Sequence, residues 1–167
     1  RAEQDRLRRR ERVHVTVLAK GALAAQDSTH TGNVRHRKAW AEVLKDAATT
    51  EAHAFGNGRS VTAQSLLGYL EDLKAKGWLP LVWATDNCSA YVAAEVQAWL
   101  AKERVVHLLS RPRTPTDNGR AERGIGEGKR LAGLGKGVKL QTALQGVQEL
   151  EQALQTLNQH WPRSTKG

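Results

Sequence analysis

Apolar positions along the chain come in short runs with two different spacings. Residues 22–26 form a brief apolar run that ends at Asp27, and the polar stretch Ser28, Thr29, His30, Thr31, Gly32 follows it. Residues 38–49 carry Trp40, Val43 and Leu44 as their bulky apolar positions, and residues 51–55 stop at the turn signal Gly56-Asn57-Gly58. These read as three strands joined by hairpins, with alanine in many places where β-branched residues would make the pattern stronger. Ala63, Leu66, Leu67, Leu70 and Leu73 then recur at helical spacing, with Ser60 as the expected N-cap and Gly77 as the stop.

Leu79, Pro80, Leu81, Val82, Trp83 and Ala84 run into Thr85-Asp86, which reads as a buried strand with an acid at its C-terminal end. Val92, Val96, Trp99 and Leu100 mark a second amphipathic helix, and residues 105–109 a further short buried strand in which His107 reads as structural. A loop bearing Pro112 and Pro115 leads into a polar helix containing Glu122. The last helix places Leu140, Leu144, Val147, Leu150, Leu154 and Leu157 on one face. Three hairpin-joined strands followed by alternating helices and strands imply an α/β domain: a five-stranded mixed sheet with helices on both faces.

At 167 residues the chain has the size of one domain with a real core. It opens on Arg1 and contains no Met, as expected of a piece of a longer protein. Residues 1–20 read as a basic N-terminal linker or helical extension, and residues 21–167 as the core domain. No apolar run is long enough to cross a bilayer, so no membrane partner is expected, and a cytoplasmic, nucleoid-associated location fits. The single cysteine, Cys88, excludes an internal disulfide and a zinc site built from several thiolates. Lys and Arg number 26 against 17 acids, a net charge of +9, which points to a polyanionic partner, most commonly nucleic acid.

Two acids stand out by their surroundings. Asp86 lies in Ala84-Thr85-Asp86-Asn87-Cys88, directly after an apolar strand, and Glu122 lies in Pro115-Thr116-Asp117-Asn118-Gly119-Arg120-Ala121-Glu122-Arg123. This arrangement resembles the retroviral-integrase-type (DDE) catalytic core of bacterial insertion-sequence transposases. That family has a strand ending in Asp-Asn-Gly and later a Pro-Gln-x-Asn-Gly-x-x-Glu-Arg stretch. Ala25-Gln26-Asp27-Ser28-Thr29 resembles the strand bearing the family's first aspartate. Leu157-Asn158-Gln159-His160-Trp161-Pro162-Arg163 resembles its Leu-Asn-x-x-Arg-Pro ending. Cys88, Thr116 and Trp161 depart from the family pattern.

The resemblance implies a ribonuclease-H-like fold in which the first and fourth strands are neighbours. Asp27, Asp86 and Glu122 would then be the catalytic and metal-binding residues. Three converging carboxylates repel one another and raise their pKa values. Two Mg²⁺ or Mn²⁺ ions, about 3.5–4 Å apart, would relieve that repulsion and serve an in-line displacement at phosphorus. The implied activity is 3′-end cleavage followed by strand transfer, on double-stranded DNA as both element end and target, by a homo-oligomer assembled on that DNA. Recognition of the ends would belong to a helix-turn-helix domain upstream. Asp46 reads instead as a turn acid, and Asp117 as an acid at a helix N-terminus.

Between residues 111 and 139 there are eight Lys or Arg against three acids. Arg111, Arg113, Arg120, Arg123, Lys129 and Arg130 flank the proposed site and read as phosphate-positioning residues. Gly124, Gly126 and Gly128 punctuate the same helix and together oppose it by about 3 kcal/mol. That predicts a segment from about residue 118 to 137 that is only partly helical until cations and DNA draw it in. The other possibility is that the glycines permit close contact with the sheet or a subunit. Two further functions fit the same residues: a hydrolytic nuclease on this fold, and a degenerate, non-catalytic DNA-binding domain.

Overall fold

The computed structural model describes residues 16–110 and 119–160 of the chain. Five strands form one mixed sheet: β1 (Leu23–Val34), β2 (Arg37–Asp46), β3 (Ala52–Phe55), β4 (Val82–Thr85) and β5 (Val106–Leu109). The spatial order is β3-β2-β1-β4-β5. The first three strands are antiparallel neighbours, whereas β4 and β5 run parallel to β1. Four helices complete the fold: α1 (Ala63–Ala75), α2 (Ala94–Lys102), α3 (Gly119–Ala132) and α4 (Ala143–His160). The first and fourth strands are neighbours, as expected, and the architecture is ribonuclease-H-like.

Strand β1 is longer than its apolar run. The polar residues 28–32 continue the strand, because β2 supplies ladder partners from Ala24 as far as Val34. A bulge between His30 and Gly32 absorbs one extra residue. Asp27 therefore sits inside a strand and not at its end. Tertiary pairing overrode a polar local sequence.

Two cores lie on opposite faces of the sheet. On one, Ala39, Ala41, Val43, Ala52 and Ala54 meet Ile125 of α3 and Val147, Leu150 and Leu154 of α4. The alanines that weaken the strand pattern are the residues that let these helices sit close. On the other face, Ala24, Leu44 and Trp83 meet Leu66, Leu70 and Leu73 of α1, and Val96 and Leu100 of α2.

Several local expectations shift. The N-cap of α1 is Thr62, not Ser60, and it forms a reciprocal capping box with Ser65. Gly77 does terminate the helix, in a left-handed conformation at φ 69°. Val92 lies before α2, which starts at Ala94. Strand β5 is not buried: Val106 and Leu108 are 62% and 53% exposed, because no described helix covers that face of the outermost strand. Leu144 turns outward at 46% exposure, away from the packed face of α4.

The glycines of α3 divide by side. The helix runs unbroken from Gly119 to Ala132. A Cβ on Gly124 would stand 2.9 Å from Lys45 Cδ, and one on Gly128 would stand 2.7 Å from Leu154 Cδ2. Both positions are buried. Close packing against β2 and α4 thus accounts for them, as the second possibility held. Gly126, by contrast, faces open space.

Two substitutions should therefore move stability in opposite directions. Gly126→Ala is expected to stabilise by about 0.8–1 kcal/mol, from helix propensity alone. Gly128→Ala is expected to destabilise by about 1–3 kcal/mol, because overpacking against Leu150 and Leu154 outweighs the same propensity gain. Urea unfolding of the two variants checks this, and stabilisation by both would refute close packing at Gly128.

Candidate active site

The site forms where parallel pairing stops. β4 pairs with β1 only over Leu23–Ala25, with Ala25 opposite Ala84. Asp27 lies two residues further along β1, and Asp86 two residues past Ala84, just beyond the end of β4. The register alone therefore brings the two aspartates side by side at the point where the strands part. Glu122 is on the first turn of α3, where the helix macrodipole favours a carboxylate.

A cleft of about 490 Å³ opens here, lined by Asp27, Thr29, Glu122, Gly126, Lys129 and Arg130 among others. Asp86 is exposed and does not line this cleft. Burial, followed by the charge of Asp86 and lesser contributions from Glu42 and Glu122, pushes the Asp27 carboxyl up to about 6. Its Oδ1 accepts the Ser28 amide at 2.8 Å, which opposes the rise. Asp86 Oδ1 accepts the Cys88 amide at 2.9 Å. Among the described residues, no group of three or more acids, histidines or cysteines converges tightly enough to cage a metal ion. Of the other two acids, Asp86 acts more strongly on Asp27 than Glu122 does.

The oxygen-only character of this set suits Mg²⁺ or Mn²⁺. Neighbouring carboxylates favour a bound divalent cation, and the charge of Asp86 is the second cause, after burial, of the raised Asp27 carboxyl, so the residues fit one.

Of the basic residues, Lys129 and Arg130 line the cleft. Lys129 donates to Thr29 Oγ1 at 3.2 Å, and burial pulls its amine below the ordinary lysine value. Arg123 is exposed on α3. Arg111, Arg113 and Asp117 lie outside the described residues, as does the side chain of Arg120. Asp46 is the turn acid it was expected to be: its carboxylate accepts the amides of Gly21, Ala48 and Thr49.

The sequence reading missed a buried polar lattice beneath the aspartates. Glu42, 2% exposed, faces the α1 and α2 side of β2 and accepts from Gln26 Nε2, Ser28 Oγ and Tyr91 Oη. Trp83 Nε1 donates to Gln26 Oε1 at 3.0 Å. Burial, then the Glu42 charge, drives the Tyr91 hydroxyl far above its ordinary range, so it stays a donor. The available signal was an acid flanked at i−2 and i+2 by Trp40 and Leu44 on one strand.

A second chain of bonds supports Asp86. Gln97 Nε2 donates to the Tyr91 carbonyl and to His107 Nδ1, each at 2.8 Å. His107 Nε2 must then carry the hydrogen, which it donates to Thr85 Oγ1 at 2.8 Å, and Thr85 donates to the Asp86 carbonyl. Burial lowers the His107 pKa, consistent with a neutral ring stacked on Trp83. His107 is structural, as the sequence reading held.

No protein-family model and no curated protein matches the chain. Solved structures do. A chain of the simian T-cell lymphotropic virus intasome, determined in complex with the PP2A regulatory subunit B56 gamma, superposes with a TM-score of 0.70 at 22% identity. That match covers 87% of this chain and 51% of that one, so the present chain spans about half the viral chain's length. The HTLV-2 integrase catalytic core domain in complex with magnesium gives 0.63 at 21% identity, over 87% of this chain and 91% of that one. The catalytic core domain of BIV integrase gives 0.63 at 18%, over 84% and 85%. At these identities the likeness establishes the fold.

The Asp27 shift has a testable sign. Its folded value of about 6 lies above the ordinary 3.8, so the folded state favours the proton. The resulting strain is absent below about 3.8, develops between 3.8 and 6, and is full above 6. Asp27→Asn is therefore expected to melt at a higher temperature than wild type at pH 7 without divalent cations, with the gap closing as pH falls toward 4. Added Mg²⁺ should stabilise wild type more than the variant. A gap independent of pH would refute the electrostatic cause.

Proposed function

We propose that this chain is the catalytic core of a DNA transposase or integrase of the bacterial insertion-sequence type. In this reading Asp27, Asp86 and Glu122 are its metal ligands. The observation that carries the proposal is the register of β1 against β4, which brings Asp86 alongside Asp27, itself a wall of the cleft that Glu122, Lys129 and Arg130 also line. Carboxylates repel a phosphodiester, and divalent ions bound between them would turn that repulsion into attraction. Bound Mg²⁺ or Mn²⁺, two ions per site, would supply the charge that activates the attacking oxygen and stabilises the leaving one.

The chain's own residues do the rest. Lys129 and Arg130 hold phosphate oxygens in the cleft, with Lys129 fixed by Thr29. Arg111, Arg113, Arg120 and Arg123 extend the grip on the phosphate backbone. The Gln97, His107, Thr85 series holds the backbone of Asp86, and the Glu42 lattice holds Ser28 next to Asp27. The reaction is 3′-end cleavage by water, followed by attack of the freed 3′-hydroxyl on target DNA. The working unit is a homo-oligomer on double-stranded DNA in the nucleoid. No described helix is long and apolar enough to cross a membrane.

One observation favours a second reading, a non-catalytic DNA-binding domain: the described acids are not drawn together into a three-ligand group. A strand-transfer assay with an oligonucleotide bearing a free 3′-hydroxyl and supercoiled plasmid target separates the cases. Joined product that requires Mg²⁺ or Mn²⁺ supports the proposal. Cut plasmid without joining indicates a nuclease, and bound DNA without product indicates the non-catalytic domain. Asp86→Asn is expected to abolish both cutting and joining while leaving circular dichroism unchanged. Full activity of that variant, or wild-type activity in excess EDTA, would overturn the metal mechanism.

A further inference from the structure

Strand β1 leads away from the cleft to the β1–β2 hairpin, whose tip is Arg35, His36, Arg37 and Lys38, all exposed. Val34 pairs with Arg37, so Arg35 and His36 make a two-residue turn. Such turns favour Asn or Gly, because the chain must enter the left-handed region. Here Arg35 occupies it, at φ 55°. Breaks in local preference are expected at functional or strained sites, and Arg35 shares its positive φ with two other described non-glycine residues, Thr50 and Arg104.

The tip is not isolated. Beyond Ala25 the edge of β1 no longer faces β4, and the segment 133–140 takes that place. Gly135 N donates to Thr31 O, Asn33 N to Val138 O, and Leu140 N to Asn33 O. The bridge between Asn33 and Lys139 sets Lys139 beside the base of the hairpin, with Lys136 in the same loop. Both segments lack acids: none occurs between Asp27 and Glu42, and none between Glu127 and Glu149. Together they carry Arg35, Arg37, Lys38, Lys129, Arg130, Lys136 and Lys139, and none of these joins an ion pair among the described residues. Cations thus continue from the cleft, through Lys129 and Arg130, to the hairpin tip. At the rise of a strand, Asp27 and Arg35 are roughly 25 Å apart, the axial length of about seven base pairs.

We propose that the β1–β2 hairpin tip, with Arg35, Arg37 and Lys38 beside Lys136 and Lys139, is a second binding surface for duplex DNA that grips the phosphate backbone about seven base pairs from the cleft. The inference rests on the proposed function only in taking DNA as the occupant of the cleft. It assigns the tip no part in the chemistry.

The test measures binding of the 167-residue chain to a fluorescent duplex of arbitrary sequence, about thirty base pairs long, across a salt series. The variant Arg35→Gly, Arg37→Gln, Lys38→Gln is expected to flatten the slope of log affinity against log salt by about 0.9 for each phosphate no longer neutralised, so by roughly two to three in all. Arg35→Gly alone is expected to raise Tm, since glycine accepts the left-handed turn, while weakening DNA binding. A merely structural arginine would not move the two in opposite directions. An unchanged slope in the triple variant overturns the proposal. So does a loss confined to an acidic polypeptide probe, with duplex binding intact. Cleavage and joining are scored separately. A chain that binds through the tip yet never cuts DNA refutes the proposed function and leaves the tip as a DNA-binding surface.

Discussion

The parallel pairing of β1 with β4 lasts only three residues, and much of the molecule is arranged around that brevity. β2 supports β1 along almost its whole length, whereas β4 releases it after Ala25. Strand backbone left without a neighbour must find other partners. Near Asp27 the gap becomes a cleft, and farther along it is filled by the 133–140 segment through bonds to Thr31 and Asn33. The two aspartates stand together because the ladder stops just before both. The site therefore sits at the carboxyl end of a parallel strand pair, with one flank open to a ligand.

Holding two acids side by side is unfavourable, and the structure opposes that repulsion with rigidity from below. Glu42, Ser28, Gln26, Tyr91 and Trp83 form one hydrogen-bonded lattice under β1, and the Trp83 ring connects it by stacking to His107 of β5. A buried lattice of this kind is stable only when every member is satisfied, and removing one partner leaves others exposed to the full desolvation penalty. The lattice also adds its own negative charge, since Glu42 contributes to the raised Asp27 carboxyl. The acids are thus fixed in place while Asp27 stays largely desolvated beside other negative charge, a state that divalent cations would relieve.

Small residues set how closely the helices approach. Ala39, Ala41, Ala52 and Ala54 line the sheet under α3 and α4, and Gly128 and Gly146 bring these helices against Leu154 and Thr31. Close approach presents Glu122, Lys129 and Arg130 to the same cleft as Asp27. Poor intrinsic propensity in α3 is offset by this packing, which is why a glycine-rich stretch still forms a continuous helix.

The order of elements and the mixed sheet were legible in the sequence, since helical and alternating periods and hairpin turns are local signals, and the neighbouring first and fourth strands were implied by the family resemblance. So were the likeness of the Asp86 and Glu122 surroundings to a known motif and the turn role of Asp46. Other features were decided only by the fold. The polar residues 28–32 became strand because β2 was there to pair with them. Val106 and Leu108 remained exposed because no described helix covers that face of the outer strand. Gly124 and Gly128 proved to be packing residues, a property of their neighbours and not of the helix that carries them. Glu42 gave almost no sequence signal, because a buried acid is recognised by its donors, and those come from Gln26, Ser28 and Tyr91 on other segments. Periodicity records which way a side chain points. What it meets there depends on segments far away in sequence, and only packing brings them together.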